Sequence, residues 1–170
     1  MSMNSDPDYS SLESRFYIAL GRYMQTFSYL DLNLGLCIRL LVNRNDVKAS
    51  HPLLERLSTQ QKLDVLKESI FYKYANDKPK MISDFDKWFK KASQTKAWRN
   101  RYVHGVWELV PKLKETPIRF TPISWAAGTG KPMQTKDEEQ QMALSDFEKI
   151  VAEMNAVSHK FSKLREKYGI

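Results

Sequence analysis

Cysteine is nearly absent: Cys37 stands alone in a chain of 170 residues. A lone thiol closes no disulfide within the chain and builds no cysteine-based zinc centre. Histidine is scarce too, with three residues, His51, His104 and His159. No acidic or histidine cluster has ligand spacing, so neither a metal nor a cofactor is expected. Long apolar runs are missing, and none nears the roughly 18 residues a membrane span needs. The polar, acidic opening Met1-Ser2-Met3-Asn4-Ser5-Asp6-Pro7-Asp8 does not fit a secretory leader. A cytoplasmic protein with no membrane partner is the expectation. There is no internal repeat, no low-complexity tract, no nucleophile elbow and no dinucleotide fingerprint.

What is present is enough for one domain over 1–170. Hydrophobic residues make up 42% of the chain, and charges of both signs are plentiful. Such a composition builds a core rather than a disordered chain. The net charge is +7. From Lys73 to Arg101 there are nine basic and three acidic residues, so this stretch holds nearly all of the excess. A clustered basic stretch fits a polyanion such as nucleic acid, or else a lysine-rich solvated face.

Helical periodicity dominates. After a flexible tail over 1–9, Ser10-Ser11-Leu12-Glu13 is a capping box. Leu12, Phe16, Ala19, Tyr23, Phe27, Leu30, Leu34, Ile38 and Leu41 then recur at helical spacing. This predicts a first long helix of about 30 residues, close to 45 Å. Its aromatic first half serves as core or as a face toward another chain, and Cys37 falls in the apolar stripe as an inert thiol. Pro52 suits the start of a short helix through Leu57. Ser58-Thr59-Gln60-Gln61 caps a second long helix that buries Leu63, Leu66, Ile70, Phe71 and Tyr74. Asn76-Asp77-Lys78-Pro79 stops it. A third opens at Ser83-Asp84-Phe85-Asp86 and carries Phe85, Trp88, Phe89, Ala92, Thr95, Arg99, Tyr102 and Val106 on one broad side. A fourth opens at Ser145 and buries Phe147, Val151, Met154, Val157, Phe161, Leu164 and Tyr168.

Between the third and fourth helices the pattern breaks. Four of the seven prolines, Pro111, Pro117, Pro122 and Pro132, exclude a continuous helix there. Ile118–Thr121 and Ile123–Trp125 have strand composition. Gly128-Thr129-Gly130-Lys131 lacks the full phosphate-loop pattern and reads as a turn. The expected fold class is all-α, a bundle of four main helices with a β-hairpin-like insertion over 108–135.

The third helix closes on Trp98-Arg99-Asn100-Arg101-Tyr102-Val103-His104-Gly105-Val106-Trp107. In a continuous helix Asn100 and His104 would lie about 40° apart, Arg101 about 60° to the other side, and Arg99 about 140° away. Arg99 would then reach the imidazole through its long side chain, a bend near Gly105, or a second chain. A guanidinium grips phosphate in a fork, and an imidazole moves a proton near neutral pH. RNA carries its own nucleophile, the 2′-OH. Its cleavage needs a base, an acid and cations on the phosphorane-like charge. One motif supplies one histidine, so two copies of His104 facing each other would provide both proton-transfer roles. The competing reading of His104 is a helix-end residue bonded to a carbonyl. Trp98, Trp107 and Tyr102 serve as core or as base-stacking surfaces. His51 and His159 are expected to be structural.

An Arg followed after four residues by His, with a polar residue straight after the Arg, placed late in the third helix, resembles the HEPN family (higher eukaryotes and prokaryotes nucleotide-binding). The resemblance covers most of the chain, the insertion excepted. It implies a metal-independent endoribonuclease, commonly a component of bacterial toxin–antitoxin or abortive-infection defence, acting as a homodimer. It assigns catalysis to Arg99 and His104 with Asn100 auxiliary. Lys96, Arg101 and Tyr102 are the accompanying RNA contacts. It allows an antitoxin or defence partner. It also allows a non-catalytic member that binds RNA or nucleotide, or serves as a helical interaction module.

Overall fold

The computed structural model describes residues 7–42, 51–103, 105–110, 112–125, 132–134 and 140–170. The chain is mainly helical: α1 (Pro7–Val42), α2 (His51–Glu55), α3 (Thr59–Tyr74), α4 (Pro79–Val103) and α5 (Leu144–Tyr168). Between α4 and α5 in the chain lie β1 (Gly105–Leu109), β2 (Ile118–Trp125), β3 (Pro132–Gln134) and β4 (Gln140–Met142).

Helix starts differ from the capping pattern in two places. The first helix begins at Pro7, inside the expected tail, and α4 begins at Pro79, four residues before Ser83. Proline at a helix start has its φ already set and lacks an N–H that would have no intrahelical partner there. At α3 the capping box forms as expected. Ser58 Oγ accepts from the Gln61 N–H, and the Gln61 side chain accepts from the Ser58 N–H.

The insertion is larger than a hairpin. All its pairings are antiparallel. β2 is the central strand: β1 pairs with Ile118–Pro122, and β4 pairs with Ile118–Phe120 from the opposite edge. β3 pairs with Ile123–Trp125. Two expected short strands are thus one strand running through Pro122. The proline falls between the stretches bonded to β4 and β3, where its missing N–H interrupts neither ladder. Val106, expected on a helix, sits in β1 opposite Thr121.

The chain divides into two compact units. The first comprises Met1–Met24 and Trp98–Ala152. Its core is aromatic: Phe16, Tyr23, Tyr102, Phe120 and Phe147 are buried, with Ile118 and Leu144. Tyr102 meets Tyr23 at 6.2 Å, Phe120 at 5.3 Å and Phe147 at 6.1 Å between centroids, all edge to face. Such pairs add roughly 0.5–1.5 kcal/mol each beyond the area they bury.

The second unit comprises Gln25–Ala97 and Glu153–Ile170. Leu30, Leu34, Cys37 and Ile38 of α1 are buried, as are Leu63, Leu66 and Ile70 of α3. Phe71 departs from expectation at 59% exposed. Within this unit α4 and α5 meet in antiparallel order. Asp84 accepts from Tyr168 at 2.7 Å, and Trp88 stacks on Phe161 at 4.6 Å while its Nε1 donates to the Val157 carbonyl at 3.0 Å. Burial pushes the Cys37 thiol up to about 11, with Arg165 pulling weakly the other way. A thiol held protonated in this way fits the inert role.

Candidate nucleic-acid site

Helix α4 ends at Val103, and Gly105 already belongs to β1. Arg99, Asn100 and Arg101 therefore ride the last turns of α4. His104 lies outside the described residues, and so do the side chains of Asn100 and Arg101. The helical angles drawn through His104 apply only as far as Val103.

The residues on either side of His104 are firmly held. Tyr102 is 6% exposed, inside the aromatic core. Trp107 is half-buried, its ring 4.7 Å from Phe120 and 5.2 Å from Phe147. Its Nε1 donates to the Tyr102 carbonyl at 3.0 Å. That carbonyl belongs to the last turn of α4, where acceptors lack intrahelical partners. Gly105 is required by packing. A Cβ there would run into the Phe120 ring and come within 2.8 Å of the Thr121 carbonyl oxygen.

Burial corrects one expected contact. Tyr102 has its faces committed to Tyr23, Trp107, Phe120 and Phe147, so it is a core residue and no base can stack on it. The other aromatic of the motif, Trp98, is half-buried.

Arg99 is half-buried, with its Nε out of solvent. Its charge acts on Tyr23. Burial first, and Tyr102 second, push the Tyr23 phenol far above its ordinary value, and Arg99 pulls it back. The phenol thus stays protonated at physiological pH. Tyr23 read as plain core in the sequence, and its place beside Arg99 had no sequence signal beyond the stripe it shares with Phe16. Lys96 is half-buried on the same helix.

A helix C-terminus carries the negative end of the macrodipole, which favours cations and repels phosphate. Two consequences follow. Arg99 offsets that partial charge, and any phosphate affinity here must come from side-chain cations. Among the described residues no three His, Cys, Asp or Glu side chains gather as a metal site.

The remaining candidates lie elsewhere. His159 is exposed on α5, the His51 side chain lies outside the described residues, and so does Gly128-Thr129-Gly130-Lys131. No described helix is long and apolar enough to cross a membrane. No family model, no curated protein and no solved structure matches the chain.

Proposed function

We propose that the protein is a metal-independent endoribonuclease of the HEPN type, with Arg99, Asn100 and His104 as its working residues. The observation that carries the reading is the clamp that the described flanks of the motif form on each other. Tyr102 is locked in the core, Gly105 abuts Phe120, and Trp107 is bonded back to Tyr102. A catalytic motif needs firmly held flanks, because misplacement of a reacting group by about 1 Å can cost on the order of 10²-fold in rate. Arg99 is half-buried, and its charge is permanent.

In this mechanism one imidazole takes the proton of a ribose 2′-OH. The 2′-oxygen bonds to the adjacent phosphorus, and the bond from phosphorus to the 5′-oxygen breaks. A second imidazole, His104 of another copy of the chain, protonates the departing 5′-oxygen. The products are a 2′,3′-cyclic phosphate and a 5′-hydroxyl. Arg99 and Arg101 neutralise the phosphorane-like charge, and Asn100 orients His104 or the scissile group. The homodimer is part of the proposal because each chain offers one motif histidine.

The test is incubation of purified protein with total RNA in the presence of a chelator, wild type against His104→Ala, with unfolding curves for both. Wild type should yield fragments ending in cyclic phosphate, and the variant should not. Equal cleavage by a folded His104→Ala variant removes the histidine from the mechanism. If the protein acts as a toxin, its expression slows host growth and expression of His104→Ala does not.

A binding-only reading draws on one observation, the buried Nε of Arg99 beside Tyr23. A guanidinium so engaged offers less of its fork to a phosphate. Tight RNA binding without cyclic-phosphate products would favour it.

A further inference from the structure

The second unit holds a groove of about 1010 Å³ between α4 and α5. Its α4 wall is a helical row: Lys87 and Lys91, with Lys90 beside them and Gln94 one turn on. Its α5 wall is the stripe Glu153, Ala156, Val157 and Lys160. The spacings of three and four place each set on one helix face. All four lysines are exposed.

The acids of the groove do not cancel these charges. Asp84 is already committed, accepting from Lys167 and from the Tyr168 hydroxyl at 2.7 Å each. Asp84 also acts on Lys160, yet with Lys167 counted two carboxylates stand against five ammonium groups, so the groove stays positive.

The floor decides which anion fits. Trp88 is 2% exposed and Val157 5%, and Ala156 is small. None of the exposed large hydrophobic side chains lies in the groove. An acidic amphipathic helix would find no large exposed hydrophobic side chain here to bury its apolar face against. Nor could a nucleobase stack, because the Trp88 face is occupied by Phe161. What the groove offers is a row of point charges on mobile stems, which suits phosphates.

We propose that this groove binds the sugar-phosphate backbone of single-stranded RNA without regard to base identity. The choice of RNA rests on the nuclease reading; the polyanion preference rests on the groove itself. It assigns a role to Lys160, on the last helix, that the sequence did not suggest.

The probe is a fluorescein-labelled 2′-O-methyl oligo(U) 12-mer, which binds but cannot be cleaved at the 2′ position. Fluorescence anisotropy is followed over a salt series. The triple variant Lys87→Gln/Lys91→Gln/Lys160→Gln should bind at least about tenfold more weakly. Its slope of log affinity against log salt should fall by about 2, from three phosphate contacts at roughly 0.7 each. The control Lys112→Gln/Lys114→Gln/Lys149→Gln removes the same charge from exposed lysines of the other unit and should change binding less than threefold. The 2′-O-methyl oligo(A) 12-mer should bind within threefold of oligo(U). Equal losses in the two triples, or none in the groove triple, overturn the proposal, as does a strong preference between the two oligomers. Tighter binding of an acidic amphipathic peptide than of either oligomer overturns it as well.

The two readings fail separately. Loss of cleavage in His104→Ala with an unaffected groove triple leaves the nuclease and removes the groove. Loss of binding in the triple with full cleavage by His104→Ala does the reverse.

Discussion

The Trp107 indole N–H donates to the Tyr102 carbonyl across 3.0 Å, and the two rings lie 5.2 Å apart. One side chain thereby stitches the first strand to the helix end before it, across the position of His104. Trp107→Phe keeps most of the ring and loses the bond, leaving a helix-end acceptor to water. The expected cost is about 1 kcal/mol, read as a lower urea midpoint with unchanged m. Trp107→Ala also opens the aromatic cluster and should cost about 2–4 kcal/mol, at or below the range for a fully buried Trp. If the clamp matters to catalysis, Trp107→Phe lowers the cleavage rate at full substrate while leaving the folded fraction near one.

Gly105 should be the least tolerant glycine among those described. A methyl group at Gly105 meets the Phe120 ring and the Thr121 carbonyl, whereas at Gly21 and Gly35 it meets nothing within 4 Å. Phe120 is fully buried and cannot swing away. Gly105→Ala should destabilise by about 1–3 kcal/mol or more, the range for an overpacked core. At roughly 2–4 °C per kcal/mol for a chain of this size, the melting temperature should drop by several degrees. Gly21→Ala and Gly35→Ala, inside α1, should hold or raise it, because alanine favours helix by about 1 kcal/mol at an exposed interior site. A Gly105→Ala variant as stable as wild type would show that β1 can shift away from Phe120.

Asp84, Lys167 and Tyr168 give the second unit a pH signature. Hydrogen bonds from Lys167 first, then from Tyr168, hold the Asp84 carboxyl below its ordinary value of 3.8. A carboxyl depressed in the folded state stabilises above its unfolded value, and the benefit is lost as pH falls through the folded one. The hydrogen bond to Asp84 raises Lys167 above 10.5. That contribution is present below 10.5 and disappears as pH rises through the folded value. The stability gap between wild type and Asp84→Asn should therefore be flat across neutral pH and close at both extremes. Its size should be small, because the groups are hydrated and screened by salt. Denaturant unfolding at several pH values measures it, and a gap that widens in acid contradicts the assignment.

The helices were legible because their apolar residues repeat at helical spacing over many turns. Phe16 through Leu41, Leu63 through Ile70, Phe85 through Thr95 and Phe147 through Leu164 all supply buried side chains where the period puts them. Phe71 was misjudged because a period marks an angle on the helix, not how far the neighbouring element reaches. The β1 strand was hidden for a different reason. Val106 continues the helical stripe of α4, and only pairing with β2, residues further along the chain, commits Gly105–Leu109 to a strand. Pairing between segments overrides local preference. At the site, the order of Arg99, Asn100 and His104 was visible, yet the roles of their neighbours were not. Tyr102 reads as core or as a base-stacking surface, and its enclosure comes from Tyr23, Phe120 and Phe147 in distant parts of the chain.

Arg99 separates a working guanidinium from a structural one. Arg99→Lys keeps the positive charge near Tyr23 and at the negative end of α4, so the electrostatic part of its structural role survives. It removes the planar fork, which an ammonium cannot reproduce on a phosphate. If Arg99 holds the transition-state charge, cleavage should fall by on the order of 10²-fold, the loss typical of removing one such donor. Stability should change by less than about 1 kcal/mol, as for a change at a half-buried position that keeps its charge. If Arg99 serves only the fold, Arg99→Lys should cleave in proportion to its folded fraction. In that case Arg99→Met, which keeps the apolar stem and drops the charge, should cleave as well as Arg99→Lys. Single-turnover cleavage beside urea unfolding for both variants decides between the two, because phosphate binding puts Arg99→Lys above Arg99→Met and packing predicts no difference beyond their folded fractions.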